Sequence, residues 1–540
     1  MEKAVSSKKK QANKSSGYDV IVIGGGHNGL VAAAYLGKAG RKVLLLEKRE
    51  VVGGAAVTEE LFPGYKISPL ADCAGYLSPA VVNDLKLAQH GLQILSTTPL
   101  IFSPQPDGCH LTLWDDVNKT AQEIIKFSKT DAEAYPKFIK KMRRFSAIIS
   151  ELNNVPPPDL PDIGLGDVFQ YRKLINPVIR LRWKNITQVI RVFSLSLSDL
   201  LNEWFESDIV KGAIGASAFI NISLGPLESG TAYPFLYNWS ISNNGLFRPR
   251  GQVKGGIGSL TQAIANAAKS YGTEILTNTK VSKINIEDGR ATGVILANGD
   301  KITASEIVSA ADMRTTFLEL VDESLVEQEF LKKLQDIQYR GTTARAHFAL
   351  NGIPGFTAAS DDSKVLGGHI QIAPSLFFIQ RACDSVKYRE YSEQPYLDIH
   401  IPTLADPSLA PKGKHIMSVT VKYMPYHLGQ GDWNKERDKV LNLVTKTITK
   451  FAPDFQQKIE QSQLITPLDM ETKYNLPEGN PIHGDMTLGK FLWMRPVPEC
   501  AQYFTPVDGL YLCSAATHPG GGVTGINGKN AARVIIKKRK

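Results

Sequence analysis

The sequence predicts an α/β protein, in which a discontinuous Rossmann-like dinucleotide-binding domain is interrupted by an α+β second domain. Three observations carry this reading. A strand, glycine turn, helix and strand run through "YDVIVIGGGHNGLVAAAYLGKAGRKVLLLEKREVVGGAA", from Tyr18 to Ala56. A helix, a strand and an alternating hairpin follow in "GGIGSLTQAIANAAKSYGTEILTNTKVSKINIEDGRATGVILANGDKITASEIVSAAD", residues 255–312. A strand, a glycine loop and a helix close the chain in "DGLYLCSAATHPGGGVTGINGKNAARVII", residues 508–536. The chain of 540 residues exceeds one compact core, so two or three domains are expected.

Taken in order, residues 1–16 form a basic leader, with five lysines against Glu2. It has no apolar stretch of the secretory kind and no arginine, so a disordered tail is favoured over a transit peptide. Residues 537–540 form a second basic tail, and the two tails account for most of the net charge of +9. The body is close to neutral, which argues against a nucleic-acid groove. The dinucleotide domain takes 17–72, 255–312 and 501–536, and the second domain takes 73–254 and 313–500. In the middle piece, Leu260, Ile264, Ala267 and Tyr271 share a helical stripe, and Asn298-Gly299 signals a tight hairpin. A helix is expected at 131–151, followed by the proline-rich connector "NNVPPPDLPDIGLGD" (153–167).

No apolar span is long enough to cross a membrane. The five cysteines are scattered, which fits a reducing, intracellular setting. None forms a C-x-x-C pair, so a dithiol relay has no residues to run on.

Gly24, Gly26 and Gly29 have the spacing that lets a backbone turn approach a pyrophosphate, with a helix N-terminus behind it. Glu47 closes the second strand, where its carboxylate would accept ribose hydroxyls and repel a 2′-phosphate. NAD and FAD both satisfy this unit. The second pair Gly53-Gly54 and the C-terminal glycine loop favour the longer flavin nucleotide. A helix beginning near Val523 or Thr524 would present its positive end to a flavin pyrimidine ring.

Other side chains offer chemistry with a plainer reading beside it. His518 flanks the glycine loop and is expected to bond backbone rather than react. His483, Asp485 and Arg495 form a polar cluster suited to ion pairing or to substrate contact. Tyr233, Phe235, Tyr237, Trp239 and Phe247 lie in a nearly charge-free segment that would line an apolar tunnel or fill a core. Arg172, Lys173, Arg180, Arg182, Lys184 and Arg191 punctuate an apolar stretch without acids. They suit a solvated helix face or a surface that docks on anionic lipid.

These blocks, with "NEWFESDIVKGAI" (202–214), "GPLESGTAY" (225–233), "GGIGSL" (255–260) and "IHGDMTLGKFLWMRP" (482–496), resemble the flavin-dependent amine-oxidase and phytoene-desaturase superfamily. Within it they are similar to the phytoene-desaturase and carotenoid-isomerase-like branch, over nearly the whole chain from Tyr18. The resemblance implies non-covalent FAD in a glutathione-reductase-like FAD-binding fold, with an apolar substrate tunnel meeting the flavin. It implies pyrophosphate contacts at Gly24, Gly26 and Gly29 and an adenosine-ribose ligand in Glu47. Gly53, Gly54 and Ala55 would lie along the ribityl side, and the Val281 backbone would meet the adenine. Ser514, Gly522 and Val523 match the C-terminal flavin loop, although relatives usually carry Gly where this chain has Ser514. The "FRPRGQVKGGIG" segment (247–258) is longer than the corresponding form of the branch.

The expected activity is FAD-dependent removal of hydride from an apolar, lipid- or isoprenoid-like substrate, with oxygen or a quinone as electron acceptor. The alternatives are a flavin-dependent polyene isomerase, a flavoprotein scaffold without turnover, and an NAD-dependent dehydrogenase using the first unit alone. No metal site and no nucleic-acid partner are expected. The setting is cytoplasmic or peripheral to a membrane, or mitochondrial, as in animal relatives.

Overall fold

The structure, a computed structural model, describes residues 17–157, 183–219, 222–360 and 362–538. The leader at 1–16 and most of the 153–167 connector lie outside the described residues. Fourteen strands build two sheets of seven. The first seven in chain order are β1 (Tyr18–Ile23), β2 (Val43–Leu46), β3 (Ile101–Pro104), β4 (His110–Leu113), β5 (Glu274–Leu276), β6 (Val281–Glu287) and β7 (Arg290–Leu296). Next come β8 (Lys301–Ser309), β9 (Thr343–Leu350), β10 (His369–Ile372), β11 (Leu397–His400), β12 (His415–Lys422), β13 (Ile459–Ile465) and β14 (Leu510–Leu512). The helices used below are α1 (His27–Lys38), α2 (Lys129–Asn153), α3 (Ala232–Ile241), α4 (Gly258–Ser270), α5 (Trp433–Thr449) and α6 (Ile526–Lys538).

The first sheet has a parallel body in the order β14-β8-β1-β2-β5, onto which β6 and β7 are joined as an antiparallel meander through β8. Strand β1 reads VIVI at its end because both of its faces are covered. Val20 and Val22 pack with α1, α4 and α6, whereas Ile21 and Ile23 pack against Phe317, Phe330 and Leu331 on the other side. The long strand β8 is the joint of this sheet. Val308 pairs with Val22 on one edge and with Tyr511 on the other, so the first and last pieces of the chain meet on one strand. Asn298-Gly299 turns β7 into β8 as the sequence implies.

The cores cross the expected boundaries at 72 and 312. Leu77, Val81, Leu85 and Leu87 pack with α1, and Met313 to Leu334 packs beneath β1 and β2. Lys537 and Lys538 are the last residues of α6 rather than a separate tail.

The second sheet, ordered β13-β9-β12-β11-β10-β3-β4, is antiparallel except where β10 meets β3. Its central strands β9, β12, β11 and β10 turn alternate residues to opposite faces. Ala344, Ala346, Val419, Val421, Leu397 and Ile399 form one face and pack against Val440, Val444 and Ile448 of α5. A separate helical core holds α2 and α3. No helix among the described residues is long and apolar enough to cross a membrane.

Candidate functional site

The cofactor cradle starts where β1 ends. Gly24 turns the chain with a φ of +96°, and α1 begins at His27 with Gly26 as its N-cap. The cap has no side-chain acceptor and the first turn holds no acid, so the helix end has no built-in anion. A Cβ on Gly29 would fall 2.2 Å from the Gly24 carbonyl oxygen, which fixes glycine there by close packing of helix on turn. A Cβ on Gly26 would meet nothing within 4 Å, because that backbone borders open space.

That space is a cavity of about 240 Å³ lined by Gly24, Gly26, Gly29, Glu47, Gly54, Ala55, Val281 and Ser514, among others. Eight of the eleven expected cofactor residues therefore share one cavity. At its far end Glu47 is held by two backbone donors: the Gly25 N–H reaches Oε2 at 2.7 Å and the Arg49 N–H reaches Oε1 at 2.8 Å. Gly53 stands behind this lining. Its N–H donates to the Gly25 carbonyl at 2.8 Å, and a Cβ there would lie 2.7 Å from the Ala56 oxygen. It braces the turn and is not among the residues that line the cavity.

Gly522 and Val523 line an adjoining cavity, and His27, Ala55 and Pro481 border both. His27 Nε2 lies 3.2 Å from the Gly522 carbonyl oxygen, which ties the first glycine turn to the last across 495 residues. Burial pushes the His27 pKa down to about 4, so the ring is neutral at physiological pH.

Helix α6 begins at Ile526, later than the expected Val523 or Thr524, because Gly525 sits at φ +69°. The sequence reading missed Asn527. Its Nδ2 donates to the carbonyls of Ser514 and Thr517, each at 3.1 Å, and of Gly520 at 3.2 Å, so the 514–520 loop is laced to the helix. The cue was an amide one residue inside a helix that follows a glycine loop.

The remaining candidates divide. His518 lines neither cavity; Nε2 lies 3.0 Å from the Leu152 carbonyl oxygen, and burial lowers its pKa to about 4. Arg495 forms no ion pair with Asp485. It donates to the carbonyls of Ile482 (2.9 Å), Asp485 (3.1 Å) and Ala515 (3.0 Å), clamping two loops together. Asp485 instead accepts from the Ser223 hydroxyl at 3.0 Å, and burial raises its carboxyl to about 6. His483 does line the cofactor cavity, and its buried Nδ1 has no partner among the described residues.

The aromatic segment fills a core and does not form a tunnel. Phe235 stacks on Phe138 and Trp239 meets its edge, Phe247 stacks on Phe235, and Tyr233 packs on Phe193 and Phe491. Tyr237 alone reaches a small cavity beside Gly522 and donates to the Gly521 carbonyl at 2.8 Å. Of the basic segment, Arg172, Lys173, Arg180, Arg182 and the Lys184 side chain lie outside the described residues. Arg191 is ion-paired with Glu203.

The second cavity differs in its chemistry. Leu70, Met470, Ile482 and Val523 give it apolar wall, while Arg345, Asp398, His400 and Thr420 come from the polar face of the second sheet. Arg345 Nη2 meets Asp72 Oδ2 at 2.6 Å, and Arg248 grips Asp398 bidentately at 2.6 and 3.2 Å. His369 Nδ1 lies 2.9 Å from Asp398 and its ring stacks on His400.

The cradle fits an FAD. The open backbone at Gly26 and the α1 N-terminus suit a diphosphate, and Glu47 suits a ribose. Asn28 Oδ1 is a buried acceptor on the cavity wall without a partner among the described residues. Comparison with known proteins agrees. Residues 22–81 match an NAD(P)-binding Rossmann-like domain, and residues 205–536 match the flavin containing amine oxidoreductase family. The chain is 33% identical to the rat "Pyridine nucleotide-disulfide oxidoreductase domain-containing protein 2", covering 97% of this chain and 94% of that one. It is 26% identical to the neurosporene-forming phytoene desaturase of Rhodobacter capsulatus, covering 94% and 91%. Among solved structures, putrescine oxidase bound to putrescine shares the fold with a TM-score of 0.61 at 14% identity, covering 97% and 98%. The cofactor of this cradle is FAD.

Proposed function

The chain belongs to the flavin containing amine oxidoreductase family, and from that premise we propose that it removes hydride from an apolar, lipid- or isoprenoid-like substrate, by desaturation or oxidation. FAD-dependent oxidoreduction is the activity of its family and its cradle; the substrate class and the C–H bond attacked are the proposal. The observation that carries it is the shared border of the two cavities at His27, Ala55 and Pro481. A substrate held against Leu70, Met470 and Ile482 would meet the cofactor across that border.

Bound FAD supplies the hydride-accepting centre. The protein contributes position and exclusion of water. Asn527 holds the 514–520 loop rigid, Arg495 clamps the neighbouring loop, and neutral His27 spans the seam between the glycine turns. Loss of hydride leaves a strongly acidic cation, so the accompanying proton can pass to water or to a weak base such as a neutral imidazole, and no strong base is needed. Electrons leave to oxygen or a quinone. A disulfide relay has no support, because the five cysteines are unpaired and burial raises Cys73, on the second cavity, to about 11. Resemblance to desaturases supports net oxidation over isomerisation or a silent scaffold.

The test is a visible spectrum of the purified protein followed by anaerobic mixing with lipid and isoprenoid candidates. A flavin band that bleaches with an apolar substrate supports the proposal. A colourless protein that binds only NAD, or a flavin that no such compound reduces, contradicts it.

A further inference from the structure

The second cavity is apolar on one side only. Across β9, β12, β11 and β10, directly opposed residues share a face, and on the cavity side they read Arg345, Thr420, Asp398, Gln371 in one row. The next row reads His347, Ser418, His400, His369. Burying such a face is costly unless each polar group is paired. Most are. Two exceptions lie on the cavity wall: Arg345 Nε and His400 Nδ1 have no partner among the described residues, in residues only 5% and 6% exposed.

The charge of this wall limits what those atoms can bind. Each guanidinium, Arg345 and Arg248, already faces its own carboxylate, Asp72 and Asp398. Burial alone would raise the Asp72 carboxyl, yet the Arg345 guanidinium beside it holds it near 2. Burial lowers His400 to about 3. The two guanidiniums and two carboxylates of this wall therefore balance in charge. An incoming carboxylate would find no uncompensated cation and would sit beside two carboxylates. An ammonium would face two guanidiniums.

Resting on the lipid-like reading above, we infer that Arg345 and His400 bind an uncharged oxygen, a hydroxyl or carbonyl, at one end of an otherwise apolar substrate. The Arg345 Nε–H donates to that oxygen, and His400 completes the pair as donor or acceptor according to its tautomer. The substrate is then an amphiphilic alcohol, aldehyde or ketone, oriented with its oxygen on the second sheet and its chain along Leu70, Met470 and Ile482.

The probe is a matched series of farnesol, farnesal, farnesoic acid, farnesylamine and farnesene. Each is titrated anaerobically into FAD-loaded protein while the flavin absorption band is followed. Farnesol and farnesal should half-saturate at about tenfold lower concentration than farnesene, the worth of one added hydrogen bond to a charged donor. The acid and the amine should bind no better than farnesene. Arg345→Gln combined with Asp72→Asn should erase the oxygen preference while leaving farnesene affinity and FAD content unchanged. His400→Phe, which keeps ring volume, should reduce it if the double variant fails to hold FAD. Farnesene binding as tightly as farnesol, or tighter binding of the acid or amine, overturns the inference and leaves the lipid-like reading standing. If no member perturbs the flavin, the lipid-like reading itself falls.

Discussion

The two sheets bury themselves by opposite means. The parallel body of the first is covered on both faces, so its strands are continuous apolar runs, and its chemistry is delivered by backbone at the strand ends. The second sheet alternates, with one face packed on α5 and the other carrying Arg345, His347, Asp398 and His400 into the interior. A cofactor common to many reactions is held by glycine turns and a helix end. On the proposed reading, the substrate meets side chains of the second sheet, which can be exchanged without disturbing the first sheet.

If this division holds, damage should differ in kind between the sheets. Removing the Asp398 carboxylate leaves Arg248 buried without its counter-charge, and Asp398→Ala should cost about 3–5 kcal/mol by chemical denaturation. Gly29→Ala drives a Cβ into the Gly24 carbonyl and should cost about 1–3 kcal/mol. It should also release FAD, measured as flavin retained after gel filtration. Retained FAD with unchanged stability would show that the turn is looser than its geometry.

The carboxylates sharpen the contrast through pH. Asp72 is held near 2, so its share of stability is complete above its unfolded value and is lost as the pH falls from roughly 4 toward 2. Asp485, raised to about 6, runs the other way. Its folded state binds the proton more tightly, so stability is greatest below roughly 4 and declines as the pH rises through 6. Asp485→Asn should raise Tm at pH 8, on the order of 2 kcal/mol in stability, and flatten the slope between pH 4 and 6. An unaltered slope would mean that another group titrates there. By comparison Arg191→Ala, which breaks an exposed ion pair with Glu203, should leave Tm unchanged.

The first sheet was legible because its signals are local. A strand, three spaced glycines and a terminal acid lie within 30 residues, from Tyr18 to Glu47. Asn298-Gly299 announces its own turn. The polar wall was not read, because its pairs join distant residues: Arg345 to Asp72 across 273 positions and Arg248 to Asp398 across 150. The alternation of "TARAHFAL" and "HIMSVTVK" does mark two-faced strands, but not that both faces are interior. The aromatic run 233–247 misled in the opposite sense, since a charge-free stripe reads alike as tunnel or core. Late placement of the α6 start came from one backbone angle at Gly525 that the glycine loop's sequence leaves free.

That three distant pieces of chain hold one FAD is tested most directly by counting FAD released per chain on heat denaturation, in the native protein and in Asn527→Ala. The native protein should release one FAD per chain. Asn527→Ala, altered only in the last piece and outside the first glycine turn, should retain less than half of it at equal fold content by circular dichroism. Full retention, or native protein that never carries flavin, would contradict the clasp.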